Sequence, residues 1–220
     1  ATTVFNNQGT FIKSAGGGTG NSTTDLTAVV HNTGTINVQS GILDLGGGGS
    51  NTGTIDLSSG TTLALTGGTF AVNTGSSITG TGTVRVTGGT TTFSGANTGT
   101  ANLAITGGTA TFSGNTTTTG GGTFSAGTFN GAGTLTLGAP LTLSGTTLGG
   151  TGVLNADGGT TISGNFSING GQTLNLSGSS TWSAGYIYGG GGSILNNKVG
   201  ATLTTNFNGT LNGTYHGGGA

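Results

Sequence analysis

Apolar residues in this chain come in short alternating sets, with glycine-rich punctuation between them. Thr83-Val84-Arg85-Val86, Leu63-Ala64-Leu65 and Leu135-Thr136-Leu137 are typical. Strict alternation of this kind predicts half-buried β-strands. The punctuation is Gly and Asn, which supply the positive φ that sharp corners need. One stretch shows the whole grammar: Ile36-Asn37-Val38, then Gly41, then Leu43-Asp44-Leu45, then four glycines.

The sets recur. Asn32-Thr33-Gly34-Thr35-Ile36 returns nineteen residues on as Asn51-Thr52-Gly53-Thr54-Ile55. Thr66-Gly67-Gly68-Thr69 returns at Thr87-Gly88-Gly89-Thr90 and again at Thr106-Gly107-Gly108-Thr109. Thr92-Phe93-Ser94-Gly95 returns at Thr111-Phe112-Ser113-Gly114, with a looser copy at Thr161-Ile162-Ser163-Gly164. Strands this short cannot stand alone. A recurrence of about 20 residues holding two or three strands is what one turn of a β-solenoid requires. The expected fold is therefore all-β: a parallel β-helix with roughly eleven turns, a rod of about 50 Å at ~4.8 Å per turn. It occupies residues 1–220 as a single domain, or as one unit of a longer repeat or fibre.

The alternation assigns an inward set: Ile36, Val38, Leu43, Leu45, Ile55, Leu57, Leu63, Leu65, Val84, Val86, Phe93, Leu103, Ile105, Phe112, Leu135, Leu137, Leu141, Leu143, Ile162, Leu174 and Leu176. The residues between them point outward and are mostly Thr, Ser, Asn or Ala. Thr is β-branched and suits a pleated, exposed surface. A β-sandwich also has many short strands with turn signals, but it does not predict a fixed step. An up-and-down barrel usually has longer strands.

Composition narrows the functional classes. Gly, Thr, Asn and Ser make up nearly two thirds of the chain, and the net charge is −1. Disorder usually pairs low hydrophobicity with high net charge, and this chain has neither its charge nor its lack of pattern. Three cations cannot build the basic surface of a nucleic-acid binder. The absence of Cys excludes disulfides and Cys-based metal sites. A chain without Cys or Met suits an oxidising exterior, because it has no sulfur to lose. No apolar run reaches the length of a transmembrane helix, so membrane insertion is not expected. No signal peptide is visible, and the lack of an initiator Met suggests a mature or excised segment.

Three stretches carry a family resemblance. They are Phe5-Asn6-Asn7-Gln8-Gly9-Thr10-Phe11-Ile12-Lys13-Ser14, the segment from Asn32 to Gly48, and Thr181-Trp182-Ser183-Ala184-Gly185 continuing to Leu195-Asn196-Asn197. Together they resemble the filamentous-haemagglutinin-like and adhesin-like β-helix repeats of large bacterial secreted surface proteins. Gly133-Thr134-Leu135-Thr136-Leu137 is similar to repeats of autotransporter passengers. The resemblance implies a right-handed helix, an extracellular or cell-surface location, and service as a stalk, adhesin or surface layer.

Candidate chemistry is sparse. Glycoside hydrolysis needs paired carboxylates, and the four Asp are scattered, with Asp56 expected to stack near Asn37 rather than Asp44. His31 and His216 stand near opposite ends. No Asp repeats in every turn as a calcium array would demand. The glycine clusters at 46–49 and 189–192 lack the Lys and helix of a phosphate loop and read as corners. A Ser-His-Asp triad is not excluded by composition, but no nucleophile-elbow motif marks one. No enzyme activity, cofactor or metal is expected. Sequons occur at Asn21, Asn115, Asn165, Asn175, Asn208 and Asn212, as chance predicts in so Asn- and Thr-rich a chain.

Two functional readings remain. The first is a structural module of an extracellular fibre, stalk or surface layer. The second is an adhesin or glycan-binding module, for which Tyr186 and Tyr188 are the candidate contact patch. Ile187 between them matches Ile162, flanked by Thr161 and Ser163, so both rings should point outward. An ice-binding Thr face is a variant of this second class, but the Thr-x-Thr pattern is irregular. The chain begins and stops in mid-pattern, and neither end shows a charged, polar cap. Head-to-tail stacking of copies is therefore expected, or covalent repetition of the unit in a longer chain. The candidate end residues are Val4, Phe5, Phe207, Leu211 and Tyr215.

Overall fold

The computed structural model describes residues 2–15, 22–95 and 97–213, with residues 97 and 98 by backbone alone. Its 29 strands form a parallel β-solenoid, and no helix occurs among the described residues. Each turn visits three faces. The first face is built by β1 (Val4–Asn7), β4 (Val29–Asn32), β7 (Gly49–Asn51), β10 (Thr69–Val72) and β13 (Thr90–Phe93). It continues through the second halves of β15 (Asn102–Phe112) and β17 (Gly122–Gly131), then β20 (Thr147–Leu148), β23 (Phe166–Ile168), β26 (Ile187–Gly189) and β29 (Leu211–Asn212). The second face holds β2 (Thr10–Lys13), β5 (Thr35–Val38), β8 (Thr54–Leu57), β11 (Ser77–Gly80), β14 (Asn97–Thr98), β16 (Thr116–Thr118), β18 (Thr134–Leu137), β21 (Val153–Ala156), β24 (Thr173–Leu176) and β27 (Ile194–Asn197). The third holds β3 (Thr23–Asp25), β6 (Ile42–Asp44), β9 (Thr62–Leu65), β12 (Thr83–Val86), the first halves of β15 and β17, β19 (Leu141–Leu143), β22 (Thr160–Ser163), β25 (Ser179–Ala184) and β28 (Thr202–Thr205).

Among the described residues, eleven strands stack on the first face and ten on each of the other two. The steps between rungs are not uniform. Asn7 stands 25 residues from Asn32 on the next rung, whereas Asn32 and Asn51 are 19 apart. At ~4.8 Å per rung, the ten steps from the first to the last strand of the first face span about 48 Å.

All 21 residues assigned inward are buried, most of them completely. Each fully buried Leu, Ile, Val or Phe contributes about 1.5–3 kcal/mol, so stacked apolar columns hold the coil together. Seven further core residues, Val30, Phe70, Val72, Phe129, Leu148, Phe166 and Ile168, lie on the first face. There the inward columns mix apolar side chains with Asn, Thr, Ala and Gly, so alternation is hard to see. One such column runs Asn7, Asn32, Asn51, Val72, Phe93, Phe112, Gly131. Its asparagines form a ladder: Asn7 Nδ2 donates to Asn32 Oδ1 at 2.7 Å, and Asn32 Nδ2 to Asn51 Oδ1 at 2.6 Å. Further along, Phe93 and Phe112 stack at 4.6 Å, and Phe112 and Phe129 at 5.0 Å.

The corner between the third and first faces turns on glycine. In β15 and β17 the chain passes it without leaving the sheet, with Gly108 at φ +59° and Gly127 at φ +73°. This joins the two faces into one 19-stranded sheet. The second face is instead interrupted, because β14 and β16 are not laddered and two five-stranded sheets result. Beside that seam lies a void of about 10 Å³ lined by Val84, Phe93, Phe112, Thr116 and neighbours. The buried hydroxyl of Thr116 has no hydrogen-bond partner.

Candidate functional site

The tyrosine pair sits late on the first face. Gly185 turns the chain at φ +83°, and the Tyr186 backbone N–H donates to Asn165 Oδ1 at 2.8 Å. Tyr186 is 47% exposed, Ile187 is fully buried, and Tyr188 is half-buried. The two rings lie 6.1 Å apart at 36°. The register differs from the expected match: Ile187 stacks on Phe166, while Ile162 lies under Trp182. Both pairings put an apolar residue inward, so the direction of the side chains survives the shift.

The ends differ from each other. At the first rung, Phe5 and Phe11 are half-buried inward residues whose rings meet edge to face at 5.7 Å. Val4 is exposed and points outward. Lys13 occupies an inward position in register with Val38 and is only 5% exposed, its Nζ donating to the Ala15 carbonyl at 3.4 Å. A charged group therefore does cap this end, contrary to expectation. At the last rungs, Phe207 packs edge to face on Trp182 at 5.5 Å. Leu211, in register with Ile187, is 56% exposed. A hollow of about 280 Å³ opens there, lined by Ile168, Ile187, Leu195, Leu211 and the glycine corner at 189–192. Tyr215 and His216 lie outside the described residues.

The terminal strands have one laddered edge each. Among the described residues, β1, β2 and β3 pair only with β4, β5 and β6, and β27, β28 and β29 only with β24, β25 and β26. Outward aliphatic side chains also gather at the ends. Val4, Ile12 and Ile194 occupy outward positions on end rungs that hold Thr, Ser, Asn or Asp at most interior rungs. Sequence reasoning missed Ile12, Ile194 and Lys13. Their signal was present, since each breaks the outward-polar, inward-apolar rule.

The polar groups form ladders rather than a catalytic cluster. Asp56 stacks beside Asn37 as expected and accepts a hydrogen bond from Thr79 Oγ1 at 2.7 Å. Asp25 and Asp44 are in register on adjacent rungs, nineteen residues apart like the repeats, and Asp44 accepts from Thr66 Oγ1 at 2.7 Å. His31 Nδ1 lies 2.8 Å from Ser50 Oγ, in hydrogen-bond reach of a base for a nucleophile. No carboxylate hydrogen-bonds this His among the described residues, so the orienting third member of a triad is missing. Among the described residues no three His, Cys, Asp or Glu come together as metal ligands. Among the described residues no helix is long and apolar enough to cross a membrane.

These features define the class of the chain as a parallel β-solenoid repeat protein. No family model matches it, and no curated protein or solved structure does either.

Proposed function

We propose that the chain is a structural module of an extracellular fibre, stalk or surface layer. It extends head to tail by stacking its last turn on the first turn of another copy. The observation that carries this reading is where apolar surface is exposed. Of the six large hydrophobic residues exposed among those described, Val4, Ile12, Ile194, Val199 and Leu211 lie on or between terminal strands, and only Tyr186 does not. Unpaired strand edges beside such side chains are templates for further pairing. The contact is heterologous, so repetition gives an open filament. The same surfaces suit a neighbouring repeat of a longer chain. Resemblance to haemagglutinin-like and autotransporter-passenger repeats supports the right-handed form and the cell-surface setting.

Negative-stain microscopy and sedimentation velocity over a hundredfold concentration range test it. Filaments of constant width and rising mass are expected. A monomer at every concentration rejects non-covalent assembly.

A second reading, a glycan-binding adhesin, is favoured by one observation: the adjacent Tyr186 and Tyr188 rings. Tyrosine offers apolar area together with a hydroxyl. Glycan-array binding that Tyr186→Ala abolishes would establish it.

A further inference from the structure

We propose that the third face carries a binding track for an extended, uncharged polysaccharide, with one sugar unit seated in a hollow at its start. The inference rests on the glycan-binding reading above, though not on its tyrosines. The Thr-x-Thr pattern is irregular along the sequence, yet the coil gathers outward threonines into one column on this face. Thr123, Thr142, Thr161, Thr181 and Thr204 stand in register on five successive rungs. All but the half-buried Thr142 are exposed. Serine follows two residues after each of the first three, at Ser125, Ser144 and Ser163, and so shares the outward side. Among the described residues none of these eight hydroxyls hydrogen-bonds to protein. Outward hydroxyls elsewhere are taken up: Thr66 by Asp44, Thr79 by Asp56, and Ser167 by Thr147.

The track begins where the outward side chains shrink. Arg85 is followed in register by Ala104 and then Thr123, and Thr83 by Asn102. On the rung after Asn102 stands Gly121, where an added Cβ would lie 2.5 Å from the Pro140 carbonyl oxygen. The backbone therefore keeps that place free of a side chain. A hollow of about 320 Å³ results, lined by Thr83, Asn102, Ala104, Gly121, Thr123 and Thr142 among others. Leu103, at 7% the most exposed of the 21 inward residues, also lines it. Small-molecule sites begin at about 300 Å³, so the hollow suits one sugar ring. Its chemistry suits one too. Asn102 Oδ1 accepts from the Gly121 N–H at 2.9 Å, which holds the amide in place and leaves Nδ2 to donate outward. Threonine hydroxyls both donate and accept, as sugar hydroxyls require. Leu103 and Ala104 offer apolar surface to the C–H groups of the ring. Among the described residues no charged side chain lines the hollow, and Arg85 stands one rung away. A carboxylate or phosphate would lose hydration there without a partner. The period completes the match. An extended chain of equatorially linked sugars advances by roughly one rung per ring, at ~4.8 Å per rung. Successive rings therefore meet successive threonines.

Isothermal titration with cellohexaose and chitohexaose tests the track. One or both should bind the intact chain, and maltohexaose, curved by its axial linkages, should not. Ala104→Leu fills the hollow. Thr123→Val/Thr161→Val keeps the β-branched shape and removes two hydroxyls. Each should weaken binding at least fivefold. Thr90→Val/Thr109→Val, on the first face and outside the hollow, should leave binding unchanged. Circular dichroism should be the same for all. If Tyr186→Ala abolishes binding and the third-face variants do not, the track is wrong and the tyrosine site stands. If neither hexasaccharide binds, the track is wrong; a glycan array with Tyr186-dependent binding then keeps the glycan-binding reading, and a blank array removes both. Stronger binding of polygalacturonate would show that Arg85 selects the ligand and would overturn the uncharged assignment. Inhibition of ice growth that Thr123→Val/Thr161→Val abolishes, without oligosaccharide binding, would give the face to ordered water instead.

Discussion

One inward column of the first face solves the same packing problem in two ways. In its first three rungs it holds Asn7, Asn32 and Asn51; two rungs later it holds Phe93 and Phe112. The asparagines are as buried as the rings, at 6%, 1% and 0% exposure against 1% each for Phe93 and Phe112. A buried amide is costly unless its donors and acceptors are met. Here Nδ2 of Asn7 and of Asn32 reaches the next Oδ1, both also donate to the Thr35 and Thr54 carbonyls respectively, and Asn51 Nδ2 donates to the Gly53 carbonyl. The rung spacing sets that geometry, so the ladder works only between consecutive asparagines. The ring stack needs no donor and gains from burial and offset contact instead. A solenoid column thus accepts a polar residue where its neighbours above and below are of the same kind.

Breaking each device should cost differently. Phe112→Ala removes the ring between Phe93 and Phe129 and opens a cavity. It should destabilise the chain by about 3–5 kcal/mol, measured by denaturant unfolding. A cost near 1 kcal/mol would mean that the stack relaxes and is not a rigid column. Asn32→Ala strips partners from Asn7 and Asn51 together, and unmet buried groups cost about 1–3 kcal/mol. Asn32→Leu should not rescue it, because the neighbouring amides stay unpaired. A rescue would place the stability in burial alone.

The seam offers a third case, a buried polar group without a ladder. Thr116→Val replaces an unpartnered hydroxyl with a methyl of similar size. It should stabilise by about 1 kcal/mol, read as a higher melting temperature. A loss instead would show that the hydroxyl is satisfied in solution, by a water in the small void beside it. Smallest of all, Tyr186→Ala removes an exposed ring and should shift stability by no more than about 0.5 kcal/mol.

Much of the fold was legible because a solenoid repeats its grammar. Alternation marks inward residues on any strand, so all 21 assigned positions are buried. The first face was harder, since Thr91, Ala110 and Gly49 sit inward there beside Phe70 and Phe129. The candidate site was less legible. The apolar end positions Ile12 and Ile194 were visible as exceptions to a rule, but only neighbouring rungs reveal that the rule applies to them.

Sequence by itself determined the strand type, the period and the identity of most core residues, because these depend on side-chain alternation and on where glycine permits a corner. Tertiary structure alone decided which residue stands above which. Corners vary in length, so the step between rungs varies too, and a fixed offset slips. Ile187 therefore rests on Phe166 rather than Ile162. Asp25 over Asp44 and His31 over Ser50, by contrast, keep the nineteen-residue step of the repeats. The hollow at the last turn is decided the same way, by two glycines that only the coil brings into one column.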